Sequence, residues 1–441
     1  MARKLFGTDG VRGVAGDFLT ADLALRLGRA ATTELGVANP RVLIIRDTRE
    51  SGEMLEAAVA AGVAAAGGTA LLGGVLPTPG ASLLVRRYGF DLAAVVSASH
   101  NPYRDNGIKF FGPDGTKIGD DHEARLEQLV GDEHAGAATH PGRVRELHGA
   151  TGDYLRELES RFQHLDLSGI KVLLDCANGA AYQAAPEIFR RLKADVHTVA
   201  AEPDGRNINE GCGSTHVGDG FAKQVRDGGF DIGFAFDGDA DRVLAVDRTG
   251  AVVDGDELIA LAALHLRRSD RLAGGGVAVT VMTNYGFHTA MAAEGVEVAI
   301  TSVGDRHVLA ELLKRGWALG GEQSGHIIDT GFVPAGDGTA AALLTLEALA
   351  GADLAERDAM EKLPQRLVNV KVTDRQALEG ADAVWEAVES ESKALEGRGR
   401  VLIRPSGTEP LVRVMVEAPD AGECDEITGR LVAIVQSEIG G

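Results

Sequence analysis

Three aspartates at alternate positions, Asp237, Asp239 and Asp241, close an apolar run at residues 230–236. Carboxylates so spaced converge on a hard cation that takes oxygen ligands. An EF-hand loop would want glycine at its sixth position and glutamate at its twelfth. Arg242 and Arg248 stand there instead, so that reading fails. A solvated acidic turn is the plain alternative, but like charges after so apolar a strand call for a cation to offset their repulsion. Three protein oxygens leave the shell incomplete, and Mg²⁺ commonly fills its own with water or a phosphate oxygen.

A hydroxyl able to carry that phosphate lies in SASHNP, residues 97–102. The β-branched run at 92–96 predicts a buried strand, and the turn formers after it predict a loop. Pro102 holds Asn101 extended, which places Ser99 at the strand's C-terminal end, the edge where open α/β sheets bind ligands. Lys109 follows on a second apolar segment, near enough to act as a base or charge partner. A surface turn satisfying its own backbone is the bland alternative. A serine hydrolase fails on form: there is no G-x-S-x-G elbow, and a histidine next to its serine in sequence is rarely the base.

Two more glycine turns offer binding groups. GEQSGH, residues 321–326, carries Glu322, Ser324 and His326, a set suited to a polyol, although alone it reads better as a plain loop. RPSGTE, residues 404–409, with Arg413 beyond, can cradle a phosphate between backbone N–H groups, hydroxyls and guanidinium forks. A capped turn with solvated arginines competes with that reading. GTDGVRG, residues 7–13, could fold Arg12 over an anion or simply fray. The G-x-G-x-x-A match at 336–341 has no clean strand before it and reads as a helix N-terminus. There is no Walker A sequence and no H-E-x-x-H.

The elements that would position these loops repeat along the chain. Strand, polar loop and helix recur at residues 41–52, 171–180 and 277–286, a pattern of βαβ units. More sharply, DLAAVVSAS at 91–99 lies over DIGFAFDGD at 231–239, with a looser copy, WALGGEQSG, at 317–325. The fold expected is three similar α/β domains with mostly parallel mixed sheets plus a smaller α+β C-terminal domain, around a central cleft. The boundaries expected are 1–150, 151–252, 253–364 and 365–441, with a hinge at Leu363 and Pro364.

Composition limits the partners. In 441 residues, 44 basic against 65 acidic side chains give a net charge of −21, which argues against nucleic acid. A small phosphorylated ligand remains compatible where arginines gather locally. Three widely spaced cysteines make neither a disulfide framework nor a zinc site. The N-terminus turns glycine-rich before any apolar stretch, and the longest low-polarity run, 57–68, is too short to span a bilayer. A cytoplasmic protein with no membrane partner is expected.

Taken together and in order, FGTDGVRG (6–13), SASHNP, DGDADR (237–242), GEQSGH and RPSGTEP (404–410) resemble the α-D-phosphohexomutase superfamily over the whole chain. The opening motif, Gln323 and VGDR at 303–306 lean toward its branch acting on glucosamine phosphates. The resemblance implies that Ser99 is phosphorylated and that Asp237, Asp239 and Asp241 hold one Mg²⁺ with a phosphoserine oxygen. Arg12, His100 and Lys109 would flank the phosphoserine, Lys109 taking the sugar's proton. Glu322 and Ser324 would grip sugar hydroxyls, with His326 a nearby acid/base. Asp305 and Arg306 would belong to the loop that checks sugar identity. Arg404, Ser406, Gly407, Thr408 and Arg413 would hold the phosphate that is not reacting. The implied reaction interconverts glucosamine 6-phosphate and glucosamine 1-phosphate through a sugar 1,6-bisphosphate, also the activator, on the route to UDP-N-acetylglucosamine. Glucose or mannose phosphates are the alternative substrates. A homodimer, and the diadenylate cyclase that some relatives bind, are partners the resemblance leaves open.

Overall fold

The computed structural model describes residues 5–7, 9–132, 138–406 and 410–440. The chain forms two compact units, Met1–Val281 with Ala299–Arg357, and Met282–Val298 with Asp358–Gly441. Among the described residues no helix is long and apolar enough to cross a membrane.

Three mixed sheets carry the expected repeat. The first orders its strands Val11–Val14, Asp105–Phe111, Leu92–Val96, Arg41–Arg46, Thr69–Val75 and Arg143–Glu146. The second runs Val252–Val253, Val243–Asp247, Ile232–Phe236, Lys171–Asp175 and Asp195–Val199. The third runs Glu297–Thr301, Gly276–Thr280, Leu319–Gly321 and Ile327–Asp329.

In each sheet one strand lies parallel to a neighbour, turns through a loop and returns antiparallel to itself. Leu92–Val96 is parallel to Arg41–Arg46 with Val42 opposite Leu92, and antiparallel to Asp105–Phe111. Ile232–Phe236 is parallel to Lys171–Asp175 with Val172 opposite Ile232, and antiparallel to Val243–Asp247. Leu319–Gly321 repeats this between Gly276–Thr280 and Ile327–Asp329. The connecting loops are the ones bearing Ser99, the three aspartates and Glu322. The acidic residue that opens the first two repeats has one job in both: Asp91 accepts from the Arg41 N–H and Asp231 from the Lys171 N–H, each at 2.7 Å. Each carboxylate thus pins the start of the parallel neighbour, and the register that aims the loop follows from it.

Burial explains the sequence pattern. Leu92–Val96 and Ile232–Phe236 are buried at every position, which is why they read as unbroken apolar runs rather than alternating ones. The second unit is built on the antiparallel sheet Gln365–Lys371, Leu411–Glu417 and Arg400–Pro405, covered by helices Asp382–Ala394 and Ala421–Ile439. Its apolar core includes Val384, Val414 and Leu431.

Candidate active site

Ser99 sits with φ at +52°, a left-handed backbone that a non-glycine residue adopts only under constraint. The constraint is a buried arginine. Arg49 pairs with Asp47 at 2.8 Å and donates to the carbonyls of Ser99 (2.9 Å), Asn101 (2.8 Å) and Asp105 (2.9 Å), and also to that of Pro102. Asn209, from the second sheet's side, donates to the same Ser99 and Asn101 carbonyls at 2.9 and 3.0 Å. Asp47 also accepts from Ser97 Oγ (2.6 Å), which accepts from the Ser99 N–H (3.0 Å). The Ser99 N–H and carbonyl are both occupied, and the Ser99 hydroxyl faces the second loop.

There it donates to Asp237 Oδ2 at 2.5 Å, with His100 Nδ1 3.3 Å away. Gly238 allows this approach: a Cβ on it would lie 2.5 Å from the Ser99 carbonyl oxygen. Asp237, Asp239 and Asp241 are buried and their ligand oxygens lie within 4.8 Å of one another. Burial, with the charges of Asp241 and Asp239, pushes the Asp237 carboxyl well above its ordinary value. Asp239 Oδ1 and Asp241 Oδ1 are buried with no hydrogen-bond partner among the described residues. A cluster of three carboxylates with orphaned oxygens fits a hard cation, which would relieve both defects.

Lys109 supplies part of that charge. Its Nζ lies 2.8 Å from Asp239 Oδ2 and 3.2 Å from Asp9 Oδ2. Burial alone would lower its pKa, but Asp239, Asp9 and Asp241 outweigh burial and raise it, so the resting group is an ammonium. Thr78 completes the shell by donating from Oγ1 to Asp239 Oδ2 at 2.7 Å.

The third loop closes the other side. His326 Nδ1 lies 3.5 Å from Asp241 Oδ1, and its Nε2 accepts from the Gly336 N–H at 3.2 Å. The G-x-G-x-x-A decoy is thus the N-terminus of helix Gly338–Leu349, capped by Asp337, and its first glycine steadies this imidazole. Glu322 Oε1 accepts from the Gly304 N–H at 2.9 Å. Ser324 is exposed on the same turn. Asp305 contacts Lys117 at 2.5 Å, and Arg306 pairs with Asp120 at 2.8 Å and with Glu123.

A cleft of about 560 Å³ joins these groups, lined by Asp9, Arg12, His100, Arg242, Glu322 and His326 among others, a size suited to a small polar ligand. Its lining mixes charge, with Arg12, Lys117, Arg242 and Arg306 interleaved with Asp9, Asp120, Asp241, Asp305 and Glu322. Arg12 pairs with Asp9, and the buried Nε atoms of Arg12 and Arg242 have no hydrogen-bond partner among the described residues. Burial, with the charges of Arg242 and Arg12, lowers the His100 pKa and favours its neutral ring.

In the second unit, Arg404 and Arg413 stand directly opposite on neighbouring antiparallel strands. Like charges so placed repel, and burial together with Arg413 lowers the Arg404 pKa. Arg413 Nε is buried with no hydrogen-bond partner among the described residues. The Ser406 N–H donates to the Leu411 carbonyl (2.8 Å) as the turn begins. Gly407 and Thr408 lie outside the described residues. A pair of facing guanidiniums with an orphaned N–H suits an anion.

Residues 3–136, 151–250, 254–367 and 367–434 match, in order, alpha/beta/alpha domains I, II and III and the C-terminal domain of phosphoglucomutase/phosphomannomutase. The chain belongs to the phosphoglucomutase/phosphomannomutase family. Curated members of similar sequence are called phosphoglucosamine mutase. One from Pelotomaculum thermopropionicum is 48% identical over 441 residues, covering 98% of this chain and 99% of its own. Another, from Mycolicibacterium smegmatis, is 48% identical over 452 residues, covering 98% and 99%. A solved family member from Burkholderia thailandensis shares the fold at a TM-score of 0.83, 24% identity and coverage of 99% and 98%. The Aspergillus fumigatus N-acetylphosphoglucosamine mutase, solved with GlcNAc-6P and magnesium, aligns at 0.68 and 18% identity, covering 99% and 96%.

Residues that sequence reasoning passed over in this phosphohexomutase site are Asp9, Arg49, Thr78, Lys117, Asn209 and Arg242. Asp9 and Arg242 lay inside motifs already singled out. Arg49 followed a strand equivalent to others that end in polar loops. Thr78, Lys117 and Asn209 carry no local signal, because their roles arise only when domains meet.

Proposed function

We propose that this chain interconverts glucosamine 6-phosphate and glucosamine 1-phosphate by lending and recovering a phosphoryl group at Ser99. The observation that carries the reading is the Ser99 hydroxyl held 2.5 Å from Asp237 at the edge of the carboxylate cluster, within a chain whose 48% identical relatives are called phosphoglucosamine mutase. Asp237, Asp239 and Asp241 would hold one Mg²⁺, which when bound neutralises charge on the transferring phosphoryl group.

The rest falls to the chain's own side chains. The free sugar hydroxyl attacks the phosphorus of phospho-Ser99, the bond from Oγ to phosphorus breaks, and Lys109 takes the hydroxyl proton, having given up its own to solvent once a cation on Asp239 and Asp241 offsets the charges that hold it. Arg12, His100 and Arg242 line the cleft where the phosphoryl charge arrives. Glu322 holds sugar hydroxyls or the amino group. Arg404 and Arg413 hold the phosphate that is not reacting, with Ser406, Gly407 and Thr408. The 1,6-bisphosphate then reverses its orientation, and its other phosphate returns to Ser99. The same bisphosphate serves as activator, and the reaction is placed in the cytoplasm.

The test is formation of glucosamine 1-phosphate from glucosamine 6-phosphate with Mg²⁺ and a trace of sugar bisphosphate, with kcat/KM compared on glucose 6-phosphate. A higher kcat/KM on glucose 6-phosphate would reassign the substrate, and release of inorganic phosphate without isomerisation would contradict the mutase reading.

A further inference from the structure

Lys117 belongs to neither the nucleophile loop nor the carboxylate cluster, yet its ammonium is the hinge pin of the cleft. Nζ lies 2.5 Å from Asp9 Oδ1 and 2.5 Å from Asp305 Oδ2. The other oxygen of Asp9 reaches Lys109 at 3.2 Å, and Lys109 reaches Asp239 at 2.8 Å. Asp305 also faces His326 Nε2 at 3.7 Å, and the other ring nitrogen faces Asp241 at 3.5 Å. A chain of alternating charge therefore runs from the 303–306 loop through Lys117, Asp9 and Lys109 to the metal-ligand loop, and His326 lies beside it between Asp305 and Asp241.

Three consecutive residues of that loop are tethered. The Gly304 N–H donates to Glu322 Oε1 at 2.9 Å, Asp305 pairs with Lys117, and Arg306 pairs with Asp120 at 2.8 Å. The Gly304 bond leaves one oxygen of Glu322 for a sugar, so the loop's position sets where that oxygen points. Lys117, Asp305 and His326 also line both the 560 Å³ cleft and an adjoining, mainly apolar cavity of about 350 Å³. They form the partition between the two. A loop tied this way cannot reshape around a different sugar, whereas a freed loop could yield into the neighbouring space.

Resting on the mutase reading above, we propose that Lys117 is a positioning residue that sets sugar discrimination by anchoring Asp305, and through it Gly304 and Glu322, to the N-terminal loop.

Lys117→Met should lower the ratio of kcat/KM for glucosamine 6-phosphate over glucose 6-phosphate by about tenfold or more, mostly through KM for the amino sugar. Asp305→Asn should lower it to a similar extent, and the double variant should be no worse than either single one, as for groups acting as a unit. Lys117→Arg, keeping the charge, should hold the ratio within about threefold of wild type. Arg357→Met, which breaks a buried pairing with Asp247 and Glu257 away from the cleft, should lower thermal stability without moving the ratio. If Lys117→Met does not fold, Asp305→Asn alone decides, since an unmoved ratio there overturns the assignment. Equal slowing on both sugars by Lys117→Met would make Lys117 merely structural. A wild-type chain without mutase activity on either sugar overturns both readings, whereas an active wild type with an unmoved ratio overturns this one alone.

Discussion

Ser99 Oγ and Asp237 Oδ2 are 2.5 Å apart although 138 residues separate them in the chain. Two equivalent loops from two equivalent sheets meet there, so the hydroxyl is placed by fold symmetry rather than by a neighbouring catalytic motif. Ser99→Ala should reduce mutase turnover by at least about 10³-fold while leaving the melting temperature nearly unchanged, because the loop's backbone is held by Arg49, Asn209 and Ser97 rather than by the hydroxyl. Steady-state kinetics and a thermal scan on the same preparation check this.

Arg49 is the structural counterpart of that hydroxyl. Replacing it with methionine leaves the Asp47 carboxylate buried and uncompensated, and strips donors from four carbonyls. A destabilisation of about 3 kcal/mol or more is expected. Arg49→Lys should recover little of it, since one ammonium cannot reproduce a planar fork reaching so many acceptors. Chemical denaturation of the two variants beside wild type measures the difference.

Arg404 and Arg413 face one another with no acid between them in their strand register. Arg413→Ala should raise KM for the sugar phosphate by about tenfold while kcat stays within about threefold. Its melting temperature should be unchanged or higher, because a cross-strand repulsion has been removed. Weaker binding together with a lower melting temperature would instead mark Arg413 as a structural arginine.

Asp337 gives a pH signature away from the reacting groups. Burial pushes its carboxyl from 3.8 up to about 6, partly opposed by the Ala340 N–H and the Tyr154 hydroxyl that donate to it. A carboxyl raised in the folded state binds its proton more tightly there than in the unfolded chain. Its contribution is therefore full below about pH 4 and is lost as pH rises through 6. Asn caps a helix as well as Asp does, so Asp337→Asn should keep the helix start and remove the slope. Wild type should lose up to about 3 kcal/mol relative to Asp337→Asn between pH 4 and pH 7. Parallel melts at stepped pH would show a constant difference if the carboxyl titrated normally.

Much of this was readable before any coordinates. Leu92–Val96 and Ile232–Phe236 announced themselves because strands buried on both faces leave continuous apolar runs, and the acid before each run marked the repeat. The aspartates and Ser99 were legible because chemistry demands those residue types at the ends of such strands. Lys117 and Thr78 were not, since a lone lysine or threonine acquires meaning only from carboxylates delivered by other domains. Arg49 was hidden for a different reason: a sequence records a charge but not its burial. Arg306 was expected in the loop that checks sugar identity; its guanidinium lines the cleft while pairing with Asp120 and Glu123, a contact that no local pattern encodes.

The central claim, a phosphoryl group lent out by Ser99, is tested most directly by intact-protein mass with site mapping. After incubation with glucose 1,6-bisphosphate and Mg²⁺, the chain should gain the mass of one phosphoryl group, located on Ser99 and removed by adding excess glucosamine 6-phosphate. An unmodified chain that nevertheless turns over, or a phosphoryl group on another residue, would contradict the account.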